Sequence, residues 1–426
     1  MIPLSVAYPL LAVSAMSEQS DTVSVQCLTK GKKVIPLYSQ CGQFWTTNVK
    51  LPDLLVINRD ADVITVSDVE ITGLAGGREV VVNRVAADLP GIIRQINEKF
   101  REKLGNGILN EVLEPRMATQ LGVMVFANTT LSEGEAVGQG ESAIILLSNI
   151  VYFSYMGLAK VDELRVEVVV KQGAESRGIL CPVAFTPYQS KGDYVFPLRG
   201  GLCVFNLPMN LAQHRSACSQ EFAIDIIAAG LIENGQDPET GKATCRIAPF
   251  GDESGERKQV ALHALSDYPI FRREVMAVGN GVVVEVGDKF PEALMSDPSM
   301  YSEQRFKELT AKLEPEIGFL NCLAGNYIII DHENGEFSDY AHLSEGSIRV
   351  KPGDRVAKGD VIAAVGNTGN STFPHLHFQL VDSKDFLTAN GLPVMFSNVP
   401  PNTINGNCTA ANSLFATDLI MLRIDK

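Results

Sequence analysis

Short apolar runs separated by turn residues recur through much of this chain, the pattern of β-strands. Residues 25–90 read as strands. Leu54–Asn58 and 63–66 are apolar runs, and the polar residues 59–62 make the turn between them. The period changes over 89–115, where Ile92, Ile93, Ile96, Phe100 and Leu104 recur at helical spacing. Strand character returns at 122–127, 143–153 and 163–171. The uncharged stretch 142–159 is near the lower length limit of a membrane span. It contains Ser142, Ser148, Asn149 and Ser154, and buried strands are the reading it supports. Residues 18–205 are thus predicted to form a β-sandwich-like domain carrying a helical insertion, with nothing catalytic in it.

A different pattern starts at about residue 206. Residues 275–286 read as a glycine-punctuated apolar strand pair. The run from Gly325 to His332 meets Asn334-Gly335 and continues over 337–343; Asn-Gly between two such runs is the strongest short hairpin signal. Turns at Pro352-Gly353-Asp354 and Lys358-Gly359-Asp360 precede a strand over 361–365. Turns this frequent predict a compact antiparallel β domain over 206–400. Residues 287–324 interrupt it with a helix over 302–313, an insertion able to form one wall of a groove. Residues 401–426 are left as a C-terminal tail. The fold class expected is mainly β.

Composition narrows the partners. The chain of 426 residues has 36 basic and 50 acidic side chains, a net charge of −14. That balance disfavours nucleic acid and anionic membranes. Residues 1–17 hold no charged side chain and end in Val13-Ser14-Ala15-Met16-Ser17, like the apolar core and small-residue cleavage site of a secretory signal, though no Lys or Arg precedes them. The expectation is an exported protein, periplasmic or extracellular, with no stable membrane span once the signal is removed. Eight cysteines, an even number, suit an oxidising compartment, and the absence of Cys-x-x-Cys argues against a thiolate zinc site or a thioredoxin-type motif. Nearest-neighbour pairing predicts Cys27 with Cys41, Cys181 with Cys203, Cys218 with Cys245, and Cys322 with Cys408.

The candidate chemistry lies near the end of the chain. Pro374-His375-Leu376-His377-Phe378 follows the loop Gly366-Asn367-Thr368-Gly369-Asn370-Ser371-Thr372. In a strand, His375 and His377 project from one face about 7 Å apart at Cα. One imidazole there can bind a metal while its neighbour handles protons. With Asn334 and Gly335 as a two-residue loop, His332 pairs with Phe337 and His342 lies opposite Tyr327, which sends His332 and His342 to opposite faces. Only one of them can join the pair. The Tyr340-Ala341-His342-Leu343-Ser344 setting favours His342, and His332, beside an acidic turn, reads as a solvated surface residue. A catalytic zinc takes three protein ligands and keeps one open position. Upstream, His214 with Asp225 and His263 with Asp267 are both available.

Residues 338–344, 350–356, 358–362 and 366–378 resemble the core of the lysostaphin-type, β-lytic-like zinc endopeptidases, mostly peptidoglycan hydrolases. The resemblance covers about 206–400 and is most specific over 366–378. It implies one zinc ion held by a His, an Asp and the second His of the His-x-His pair, here His377. It implies His342 and His375 as the catalytic histidines. The family's usual first motif is His-x-x-x-Asp, which His263 and Asp267 match by spacing. The alternative, His214 with Asp225 on the apolar run 221–227, resembles a variant branch with an upstream His and an insertion after the Asp. The ligand set expected is His214, Asp225 and His377, with His263 and Asp267 as the competing pair. Peptide cross-links of peptidoglycan are the implied substrate. Two other readings compete. A catalytically inactive relative would serve as an envelope binding or regulatory protein, although all candidate positions here are filled. A lipoyl- or biotinyl-type carrier would need an exposed lysine at a hairpin tip, whereas Lys358 sits in an ordinary Gly-Asp turn.

Overall fold

The computed structural model describes residues 22–28, 33–85, 88–104, 108–109, 129–147, 152–205, 219–228, 230–231, 247–248, 264–297, 302–386, 389–399, 408–410 and 420–424. Strands dominate and are almost all antiparallel.

The first part of the chain builds three sheets. Leu54–Asn58 lies between Val23–Cys27 and Glu141–Ile145 in a five-stranded sheet. Ile64–Ala75 pairs instead with Glu163–Gln172 and Arg78–Arg84 in a second sheet. The turn at 59–62 is therefore a corner between sheets rather than a hairpin. The third sheet holds Tyr152–Gly157, Phe44–Lys50, Leu37–Cys41 and Cys408–Ala410. Glu163–Gln172 alternates Leu164, Val166, Val168 and Val170 inward, all fully buried beside Ile64, Val66, Val69 and Ile71. The helical period is realised as a helix over Leu89–Leu104, which lays Ile93 and Phe100 into the core. It stops short of the predicted 115, because 108–109 is a short strand. The strand expected over 122–127 lies outside the described residues.

The second part is organised by one nine-stranded sheet. Its central order is Gly281–Gly287, Asn326–Asp331, Phe337–Leu343, Leu376–Val381, Ile224–Ala228 and Gly200–Phe205. The predicted strand pair over 275–286 is not a pair. Glu274–Met276 bonds Val361–Ala364, while Gly281–Gly287 bonds Asn326–Asp331. Residues 401–426, read as a tail, supply two strands. Cys408–Ala410 bonds Leu37–Cys41, and Ile420–Ile424 bonds Gly200–Phe205. The insertion carries a helix over Glu303–Ile317, whose N-cap Ser302 accepts a hydrogen bond from the Arg305 N–H.

The Asn334-Gly335 hairpin forms with a register one residue away from the two-residue-loop expectation. Asp331, not His332, faces Phe337. The loop is longer because the Glu336 carboxylate turns inward. It is fully buried and accepts hydrogen bonds from Tyr188 Oη, Tyr194 Oη, the Lys191 and Gly192 N–H groups and Asn334 Nδ2. His332 is consequently not a solvated residue. Its Nδ1 bonds the Asn280 carbonyl at 2.8 Å, its Nε2 bonds Ser338 Oγ at 2.9 Å, and Tyr194 packs on its ring. Burial pushes its pKa down.

The cysteine pairing also differs. Cys27 Sγ lies 3.6 Å from Cys181 Sγ, so Cys27 faces neither Cys41 nor a near neighbour in sequence, and Cys181 faces no Cys203. Cys41 is instead in register with Cys408, which takes Cys408 away from Cys322, buried in the short helix Phe319–Ala324. Cys218 and Cys245 lie outside the described residues.

Candidate active site

Three adjacent strands set one row of the site. Asp225 is in register with His377, and His377 with Ala341. On the opposite face, Ile224, Ile226, Tyr340, Leu376 and Phe378 fill the main core. The alternation of each strand thus points its apolar residues into the core and Asp225, His377 and Gln379 the other way.

Strict alternation would send His342 into the core beside Tyr340. A β-bulge prevents this. Three steps from Tyr340 to Leu343 oppose two from Ile328 to Asn326, and His342 takes a left-handed backbone with φ 61°. That conformation is costly for a residue with a side chain and concentrates at functional sites. Leu343 falls back into the core, and the His342 ring comes within 4.7 Å of His375 and 5.9 Å of His377, centroid to centroid.

Each ring is held by its back nitrogen. His342 Nδ1 donates to the Thr368 carbonyl at 2.8 Å. His375 Nδ1 donates to the Phe373 carbonyl at 2.8 Å, with Ser371 Oγ at 3.2 Å. In both rings Nε2 is then the nitrogen that can accept a proton. Burial first, then the neighbouring His375 and His377, pushes the His342 pKa well below the usual imidazole range, so this ring is neutral at neutral pH. The Thr368 carbonyl can come so close because Gly325, at φ 68°, has no side chain.

The carboxylate of Asp225 is 3% exposed and sits among apolar neighbours on its own strand, where an ionised group without a partner is costly. Its Oδ1 lies 3.1 Å from His377 Nδ1 and 3.6 Å from His375 Nε2. His377 Nε2 is 3.1 Å from Gln379 Oε1, and Gln379 Nε2 donates to Asp339 Oδ2 at 2.7 Å. Gln379 thus turns its amide oxygen toward His377 Nε2, an acceptor that favours the tautomer with hydrogen on that nitrogen. In that neutral tautomer Nδ1 has only a lone pair, and it is Nδ1 that faces the Asp225 oxygen. Two electron-rich atoms so disposed fit a cation, and an oxygen–nitrogen donor set suits zinc.

Among the described residues no group of three His, Cys, Asp or Glu side chains meets a metal geometry. His214, the third expected ligand, lies outside them, as does His263. Asp267 ends a short 3-10 turn, Leu265–Asp267, and its side chain is not among those described. The structure thus brings together Asp225, His342, His375 and His377, and leaves His332 on the far side of the sheet. Sequence reasoning missed Gln379 and Asp339. Residue 379 continues the 375, 377 alternation, so a buried glutamine in that row was a readable signal.

Residues 316–389 match the model of peptidase family M23. Curated relatives are similar over part of the chain. Peptidoglycan DD-endopeptidase ShyA of Vibrio cholerae serotype O1 is 43% identical over 79 residues, 18% of this chain and 16% of that protein. Glycyl-glycine endopeptidase ALE-1 of Staphylococcus capitis is 43% identical over 65 residues, 15% of this chain and 17% of that protein. The match spans about a sixth of the length of either relative. Among solved structures, the catalytic domain of lysostaphin from Staphylococcus simulans is 28% identical, covering 28% of this chain and 68% of that one, with a TM-score of 0.20. No helix among the described residues is long and apolar enough to cross a membrane.

Proposed function

We propose that this chain is an exported zinc endopeptidase that cuts peptide cross-links of peptidoglycan. The observation that carries the reading is the Asp225 oxygen facing Nδ1 of His377 at 3.1 Å, with two further histidines beside it. His214, Asp225 and His377 would hold one zinc ion. When bound, zinc acts as a Lewis acid on water and on the scissile carbonyl.

The chain supplies the rest. Nε2 of His342 or His375 takes a proton from the attacking water and returns one to the leaving amine. The two rings also provide donors to the developing oxyanion once protonated. The carbonyls of Thr368 and Phe373 hold them in the orientation that leaves Nε2 available. Peptidoglycan enters as the substrate class because ShyA and its relatives are peptidoglycan endopeptidases by name. With a net charge of −14, recognition of an anionic wall rests on groove shape rather than on attraction.

The test separates metal from chemistry. His377→Ala and Asp225→Ala are expected to lose zinc. His342→Ala and His375→Ala are expected to keep zinc and lose turnover of cross-linked muropeptides by roughly 100-fold or more. Asp267→Ala is expected to keep both. Full turnover in His342→Ala, or a site emptied by Asp267→Ala while Asp225→Ala retains metal, overturns the assignment.

A further inference from the structure

The row beneath the proposed metal pair holds two buried polar side chains that no step of the reaction uses. Asp339 is in register with Gln379 across the strands that carry His342 and His377. Gln379 is fully buried and Asp339 is 1% exposed. A buried amide and carboxyl without a purpose are expensive for a core to keep. They form one chain of contacts: His377 Nε2 lies 3.1 Å from Gln379 Oε1, and Gln379 Nε2 donates to Asp339 Oδ2 at 2.7 Å. Asp339 Oδ1 has no hydrogen-bond partner among the described residues. Asp339 thus touches the site only through the glutamine.

We infer that Gln379, oriented by Asp339, is a positioning residue that holds the His377 proton on Nε2 and so keeps Nδ1 open to a metal. The inference rests on the zinc reading above. The physical reason is the amide's two ends. A glutamine can present oxygen or NH2 to the ring, and the two choices impose opposite tautomers. With the oxygen toward the ring, Nε2 carries hydrogen and Nδ1 a lone pair. With the NH2 toward the ring, Nε2 must accept, the hydrogen moves to Nδ1, and Nδ1 then bonds Asp225 instead of a metal. Asp339 selects the first choice by accepting from the amide NH2. Outer partners of this kind typically govern metal affinity by 10–100-fold.

The experiment uses the full chain, stripped of metal and titrated with zinc against a chromophoric chelator. Gln379→Met keeps the volume and removes the acceptor; Gln379→Glu keeps the acceptor. Zinc affinity is expected to fall about 10–100-fold in Gln379→Met and to stay at or above the native value in Gln379→Glu. Nitrogen-15 spectra of the metal-free native protein, assigned through single histidine variants, are expected to show His377 with hydrogen on Nε2. That pattern should be lost in Gln379→Met and kept in Gln379→Glu. A native His377 with hydrogen on Nδ1 overturns the inference without any variant. So does Gln379→Met binding zinc as tightly as the native protein. Equal losses in the Met and Glu variants point to packing alone and also overturn it. Zinc retained by His377→Ala is a different outcome, which removes the metal reading itself.

Discussion

Gly325→Ala tests how the His342 ring is held. A Cβ at residue 325 would lie 2.4 Å from the carbon, the oxygen and Oγ1 of Thr368, about 1 Å inside ordinary contact. The Thr368 carbonyl is the acceptor for His342 Nδ1 at 2.8 Å. Retreat by about 1 Å carries that bond beyond the usual limit of roughly 3.2 Å. Gly318 is the control: its φ of 83° is equally closed to side chains, but no atom lies within 4 Å of its Cβ position. Both substitutions carry a backbone cost of about 1–3 kcal/mol. Only Gly325→Ala adds overpacking, about 1–3 kcal/mol more. Urea unfolding should therefore rank Gly325→Ala below Gly318→Ala. Muropeptide turnover at saturating zinc should be unchanged in Gly318→Ala and reduced at least about tenfold in Gly325→Ala, within the range that loss of an oriented proton acceptor produces. Equal stability losses in the two variants, or undiminished turnover in Gly325→Ala, would refute the reasoning.

Burial holds the Asp339 carboxyl well above the usual carboxylate range. Below about pH 3.9 the folded and unfolded states are both protonated, and above it the unfolded chain ionises first, so stability falls with rising pH by up to about 1.4 kcal/mol per unit until the folded value is reached. Asp339→Asn removes this penalty and should raise the melting temperature at pH 7 but not at pH 3.5; a gain of equal size at both would contradict it. Glu336→Leu strands the hydroxyls of Tyr188 and Tyr194 and two backbone N–H groups, and should destabilise by about 3 kcal/mol or more in urea; a loss under about 1 kcal/mol would show those bonds to be replaced by water. Oxidised glutathione should join Cys27 to Cys181 by thiol–disulfide exchange, read as one bridged peptide in a non-reduced digest; a Cys27–Cys41 peptide in its place would contradict the geometry.

The legible and illegible parts of this chain have different physical causes. His375 and His377 share a face by simple alternation, and alternation is a local property. Asp225 was readable as an anomaly, a carboxylate inside an apolar run. His342 stands out by its motif, while the two-residue-loop register that would place it does not form. Its position depends on a bulge and a left-handed backbone, which no period reveals. The register itself is displaced by Glu336, whose partners Tyr188, Lys191, Gly192 and Tyr194 lie about 145 residues earlier. The expected partners of Cys27, Cys181 and Cys408 differ for the same reason: sheets join distant segments, and proximity in sequence carries no information about them.

The Asp225 and His377 donors come from adjacent strands but are separated by 152 residues of chain. Loop closure grows only logarithmically with length, each doubling adding about 0.6 kcal/mol, so thermodynamics tolerates the separation. Kinetics does not, because contacts this remote form late. On the proposed zinc reading, a metal ion offered to an unfolded chain could meet His214 and Asp225, eleven residues apart, but not His377 with them. On that reading, a complete ligand set follows closure of the sheet, and loading would report on the finished fold. A bound ion would then stabilise that fold by mass action, in proportion to the logarithm of its concentration over its dissociation constant.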